Sequence, residues 1–212
     1  MGFSVPVVFR SYRKKASAPA GPVTLIYDTF TDADGTLIQN HTIAPTNTPG
    51  ASWSAAAKIG LTDTGTIKVS SNQVLISDAA SSRMASVVDV GLTDVVITAD
   101  VTTNAWGGNT FEGLTGRWSS TTSYWFFSVN VSSDAISIHE VTTVRASASK
   151  AIAANTAYAF TVTLVGNVLT FDVNGTSCNY TSATNNDKTK HGVVPVINGG
   201  GYTKIDNFKV VG

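Results

Sequence analysis

Residues 113–130, GLTGRWSSTTSYWFFSVN, decide how this chain is to be read. Two runs of strand length, rich in aromatic and β-branched residues, flank the polar turn SSTTS, so the stretch predicts an antiparallel hairpin. Alternation then sorts its side chains. Leu114, Gly116 and Trp118 share one face, and Thr115, Arg117 and Ser119 the other. In the returning run Phe127 and Val129 oppose Ser128 and Asn130, with Tyr124 in phase with the polar pair. One apolar and one polar face is the pattern of a sheet buried on one side.

The same signature runs outward in both directions. Strands are predicted over 23–30, 65–71, 72–78, 83–90 and 94–103 before this hairpin, and over 134–141, 144–150, 157–166, 167–175, 191–198 and 203–211 after it. VNVSSDAISI (129–138) and TLVGNVLTF (163–171) read as further hairpins, the second turning at Gly166–Asn167. Helical periodicity is nearly absent, and only SAAAKIG (54–60) suggests a turn of helix. The expected fold is all-β: two antiparallel sheets packed as a jelly-roll sandwich, one domain over 21–212, preceded by an extended N-terminal arm over 1–20.

Composition agrees with a folded, weakly charged body. Of 212 residues 42% are hydrophobic and 13% charged. That charged share is about half the usual one. No apolar run approaches the roughly 20 residues that a membrane-spanning helix needs, so no membrane partner is expected. Net charge is zero but segregated. Residues 1–20 hold Arg10, Arg13, Lys14 and Lys15 without an acid, which makes +4; the other 10 basic and 14 acidic residues leave the body at −4.

This leader, MGFSVPVVFRSYRKKASAPA, lacks the order of a secretory signal, because its short apolar piece precedes the charges. Four basic residues ahead of an acidic body also argue against nucleic acid. The expected role is an anchoring arm: Val7, Val8 and Phe9 for a groove or sheet edge on a partner, and Arg10, Arg13, Lys14 and Lys15 for its acidic surface. The lone Cys178 cannot form an internal disulfide and reads as a buried or half-buried structural thiol rather than a nucleophile.

The order GLTGRWSSTTSYWFFSVN, AISIHEV (135–141), AYAFTVTLVGNVLTFDVNG (157–175) and KIDNFKVVG (204–212) resembles the concanavalin A-like lectin/glucanase, or laminin-G-like, jelly rolls. YDTFTDADGTLIQN (27–40) looks like the opening strand and turn of such domains, including those carried on phage virion proteins. The resemblance implies the jelly roll for nearly the whole body. For function it leaves enzymes, lectins and structural modules open.

Glucanases of that superfamily carry Glu-x-Asp-x-x-Glu on one strand, which sets two carboxylates on one face. The only glutamates here, Glu112 and Glu140, stand outside such a pattern, so no enzymatic activity is expected. His41, His139 and His191 are scattered without metal-ligand spacing. Asp32 and Asp34 in TDADGT could begin a calcium loop, although Asp-Gly is the commoner sign of a turn. Calcium is thus the one cofactor left open.

For a glycan, the alternation places Asp100, Arg117, Asn130 and His139 on a polar outer face, with Trp106 and Tyr124 as aromatic platforms. Trp53, Trp118 and Trp125 are assigned to the core. The expected function is a non-catalytic virion surface protein (capsid decoration, head-fibre or tail component) held to other virion proteins by its arm. Its jelly roll would face cell-surface polysaccharide, and a homo-oligomer is compatible with that role. A free-standing carbohydrate-binding module or weak glycoside hydrolase is the alternative.

Overall fold

A computed structural model describes residues 21–43, 47–61, 64–106 and 110–212. The arm residues Val7, Val8, Phe9, Arg10, Arg13, Lys14 and Lys15 lie outside the described residues.

The strands are β1 (Thr24–Asp28), β2 (Ala57–Gly60), β3 (Thr66–Ser70), β4 (Gln73–Ser77), β5 (Ser81–Asp89), β6 (Val95–Thr102), β7 (Glu112–Ser120), β8 (Ser123–Asn130) and β9 (Ala135–Glu140). They continue as β10 (Thr143–Ser149), β11 (Ala157–Val165), β12 (Val168–Val173), β13 (Thr176–Thr181), β14 (Lys190–Val194), β15 (Val196–Asn198), β16 (Gly201–Tyr202) and β17 (Lys204–Val211). All pairings among them are antiparallel.

Two sheets result. The smaller has eight strands in the order β13-β12-β11-β6-β17-β4-β3, with β1 on β17; the larger has nine, β10-β9-β8-β7-β14-β5-β15-β16, with β2 on β5. Their inner faces carry the apolar half of each alternating strand. Phe160, Val162 and Leu164 on β11, Leu169, Phe171 and Val173 on β12, and Trp125, Phe127 and Val129 on β8 are all buried in one continuous core. Each such side chain contributes roughly 1.5–3 kcal/mol by leaving water. Cys178 sits in this core, and burial raises its thiol to about 11, so it is an inert packing group.

Two local readings change. SAAAKIG forms no helical turn: Ala57–Gly60 is β2, because pairing with Ala85, Met84 and Arg83 of β5 outweighs alanine's helical preference. The alternation on β7 also breaks after Gly116, where the register to β8 shifts and Arg117 takes a φ of +49°. A bulge inserts one residue and exchanges the faces beyond it. Trp118 therefore leaves the phase of Leu114 and lies on the outside of the larger sheet, in a second apolar cluster. Arg117 is fully buried, its guanidinium reaching Thr93 O and, at 3.3 Å, Asp94 Oδ1.

A buried polar network pins the chain after β1. Asp28 accepts bonds from Phe30 N and Trp53 Nε1, while His41 lies 2.8 Å from both Asp28 Oδ1 and Asp32 Oδ2. Burial works against charge on His41, but the two carboxylates outweigh it and raise its pKa. Asp34 Oδ1 accepts the Ser71 N–H at 2.6 Å. Asp32 and Asp34 thus serve separate partners, and a calcium ion would have to compete with those bonds. Among the described residues no group of three His, Cys, Asp or Glu has metal-holding geometry.

Candidate functional site

The outer face of the larger sheet gathers Tyr124 and Phe126 from β8, Ala85 and Val87 from β5, Val194 from β14 and Trp118 from beyond the bulge. Trp118 and Tyr124 stack with ring centres 4.7 Å apart. Half-buried Ala57, Ile59, Phe111 and Val141 pack against them. His139, opposite Phe126 on β9, lies edge-on to Phe111 and 2.9 Å by Nε2 from Ser128 Oγ. Burial, then the charge of Arg83, lowers its pKa to about 4, so the ring is neutral near pH 7.

Ser128 and His139 thus satisfy each other through a single hydrogen bond in a closed environment. A base this weak, buried with its hydroxyl, is poorly suited to activating a nucleophile. Asn130, on the same face, accepts from Ser132 N, Ser132 Oγ and Ser133 N and so fixes the β8–β9 turn. Tyr124, Asn130 and His139 share the expected face, but each is buried. The face is apolar and packed rather than polar and open.

The outer face of the smaller sheet differs. Tyr27, Lys209, Thr98 and Thr161 form a row across β1, β17, β6 and β11. They stand outward because Ile26, Phe208, Ile97 and Phe160, their neighbours in sequence, fill the core. A second bulge, between Asp206 and Lys209, puts Asn207 at a φ of +50° and opens a notch in the row.

Asn207 Nδ2 donates to Asp100 Oδ2 at 2.8 Å, and Tyr27 Oη reaches Asn207 Oδ1 at 3.3 Å. The open cleft has a volume of about 270 Å³, lined by these groups with Thr98, Thr161 and Lys209. Tyr27 is 45% exposed there, so its ring is available to a ligand. The arrangement presents one aromatic face beside a carboxylate, a carboxamide, two hydroxyls and an ammonium. It holds no nucleophile with an adjacent base.

The six sequence candidates thus separate. Asp100 reaches an open site on the smaller sheet, while Tyr124, Asn130 and His139 are enclosed on the larger one. Arg117 turns to the β5–β6 connection. Trp106 is exposed, but it packs on Gly199, where a Cβ would stand 2.4 Å from its ring. Sequence reasoning passed over Tyr27 and Lys209, although their phase against Ile26 and Phe208 was a usable signal. Asn207 had none, because only the bulge aims it at Asp100.

The two glutamates do not face each other across a cleft. Glu112 is buried, accepting from Asn104 N and the Thr203 hydroxyl; burial raises it to about 7 against those bonds. Glu140 is paired with Arg145 at 2.7 Å.

No family model matches the sequence, and no curated protein matches it. Solved structures do share the fold. SCLam, a non-specific endo-β-1,3(4)-glucanase from family GH16, superimposes with a TM-score of 0.57 at 11% identity, covering 92% of this chain and 93% of that one. A Bacillus subtilis protein with a galectin-like fold gives 0.54 at 9%, covering 87% and 97%. The metal-free carbohydrate recognition domain of Emp46p gives 0.51 at 8%, covering 88% and 98%. The sandwich is therefore the lectin-like jelly roll, a likeness of fold alone.

Proposed function

We propose that this chain is a non-catalytic glycan-binding module whose ligand lies in the cleft on the outer face of the smaller sheet. The carrying observation is the exposed Tyr27 ring beside the bonded pair Asn207 and Asp100. A sugar presents a C–H face and a rim of hydroxyls. An aromatic ring serves the first, and a pre-oriented carboxylate and carboxamide serve the second at little ordering cost. The cleft lies at the small end of ligand sites, suited to one sugar unit of a longer chain. The lectin-like fold is consistent with this use, and the separate engagement of Glu112 and Glu140 supports binding without hydrolysis.

The test is retention of the full chain on a panel of immobilised polysaccharides. Tyr27→Ala and Asp100→Asn should each abolish retention of whichever glycan binds. Equal retention by both variants, or no retention of any glycan by the native chain, overturns the reading.

The charge division between residues 1–20 and the body favours a finer role. The module is a virion surface component, a capsid decoration, head-fibre or tail protein, anchored through its basic leader and displaying the cleft to cell-surface polysaccharide. Deleting residues 1–20 should leave the sandwich folded but free of the particle. A free-standing carbohydrate-binding module would instead keep full function after that deletion.

A further inference from the structure

Arg83 projects from β5 on the same side as Ala85 and Val87, into the aromatic cluster of the larger sheet. Its guanidinium carbon lies 5.4 Å from the centre of the Phe126 ring. Arg117 and Arg145 pair with Asp94 and Glu140, whereas Arg83 has no carboxylate partner among the described residues. Its Nε is buried without a hydrogen-bond acceptor among the described residues. Burial lowers its pKa, opposed only by the Tyr124 phenol.

Such a cation is expensive. Arg83 is half-buried, and a guanidinium partly withdrawn from water with no carboxylate among the described residues is compensated only in part by stacking on a ring. The surroundings nevertheless make room for it. At Gly60 of β2, a Cβ would stand 2.5 Å from Arg83 Nη2, so that position is kept free of a side chain. Half-buried Ile59 and Phe111 supply an apolar rim to the same cluster.

We propose that Arg83 is the anchor of a second site, on the sheet opposite the cleft, for a sugar carrying a carboxylate: a uronic acid unit of an acidic polysaccharide. The planar guanidinium of a half-exposed arginine matches a carboxylate in two parallel hydrogen bonds. The sugar part of this inference rests on the glycan-binding reading; the anion part rests on Arg83 alone. Filling the site gives the guanidinium a carboxylate that none of the described residues supplies.

The experiment uses the full chain labelled with ¹⁵N-arginine, with the Arg83 Nε–H resonance assigned by its loss in Arg83→Lys. Glucuronate should shift that resonance, while glucose and the methyl ester of glucuronate should not. Affinity should fall at least about tenfold in Arg83→Lys and vanish in Arg83→Met. Tyr27→Ala should leave glucuronate binding unchanged, which separates this site from the cleft. Arg83→Met should melt at the native temperature or above, because a half-buried charge with no carboxylate among the described residues has been removed.

An Arg83 resonance indifferent to glucuronate overturns the proposal. So does a response to sulfate as strong as that to glucuronate, which would mark a simple anion site. A marked fall in melting temperature for Arg83→Met would assign the residue to the packing of the sheet instead. Failure of the cleft variants to alter neutral-glycan retention would count against the first site while leaving the Arg83 titration readable.

Discussion

The two outer faces of the sandwich begin from the same kind of alternating strand and end in opposite states. On the larger sheet the outward residues are Tyr124, Phe126, Trp118, Val87 and Val194, and all are buried in a second apolar cluster. On the smaller sheet the outward row is Tyr27, Lys209, Thr98 and Thr161, and it borders an open cleft. Alternation decides which side of a sheet a residue takes. Whether that side meets solvent is decided by what packs on it, and the aromatic content of each row is the driving difference.

The largest expected effect tests whether the larger sheet's outer face is a true second core. Phe126→Ala should lower stability by about 3–5 kcal/mol in denaturant titration, whereas Tyr27→Ala on the other face should change it by about 0.5 or less. A loss below about 1 kcal/mol at Phe126 would erase the contrast.

Acid sharpens it next. His139 has a folded pKa near 4 against 6.5 when free, so the unfolded chain binds the proton first. Its stabilising contribution is complete above pH 6.5 and is lost as pH falls toward 4, by about 3 kcal/mol in all. His191, held near 4 by burial beneath the same sheet, acts in the same direction. His139→Gln should remove its share of the acid limb in melts between pH 7 and 4.

Glu112 provides the opposite sign. Its folded pKa near 7 lies above the ordinary 4.5, so the native state holds the proton more tightly. Stability from this group falls as pH rises from 4.5 to 7, again by about 3 kcal/mol. Glu112→Gln should flatten that descent and leave the acid limb of His139 intact. A variant that unfolds outright would show that the charged form is needed to hold Asn104 N and Thr203.

The smallest stability effect belongs to the open face. Asp100→Asn and Lys209→Ala should each move the melting temperature by no more than about 2–4 °C. Only glycan retention should respond to Asp100→Asn. The open face would then carry retention of its glycan without carrying stability.

Much of the architecture was legible. Strands at 83–90, 94–103, 157–166 and 167–175 follow directly from β-branched alternation and Gly or Asn turns, and the hairpin at Gly166–Asn167 forms as read. The candidate site was legible only in part. Asp100 was assigned outward, which holds, but it was grouped with His139 and Asn130, which belong to the other sheet. Strand phase has no term for which sheet a strand joins. Arg117 was assigned outward by a count that assumed no extra residue, and the bulge at its positive φ supplied one.

The sequence by itself determined the class of fold, the inward set of Leu114, Phe127 and Val129, the structural role of Cys178, and the division of charge between leader and body. These follow from local rules: a period of two, turn chemistry and simple counting. Tertiary structure alone decided that Asn207 meets Asp100 from 107 residues away, that Trp118 joins Tyr124, and that Arg83 lies over Phe126. Each depends on a bulge or on the order of strands in a sheet, quantities set by the packing of the whole chain rather than by any one segment of it.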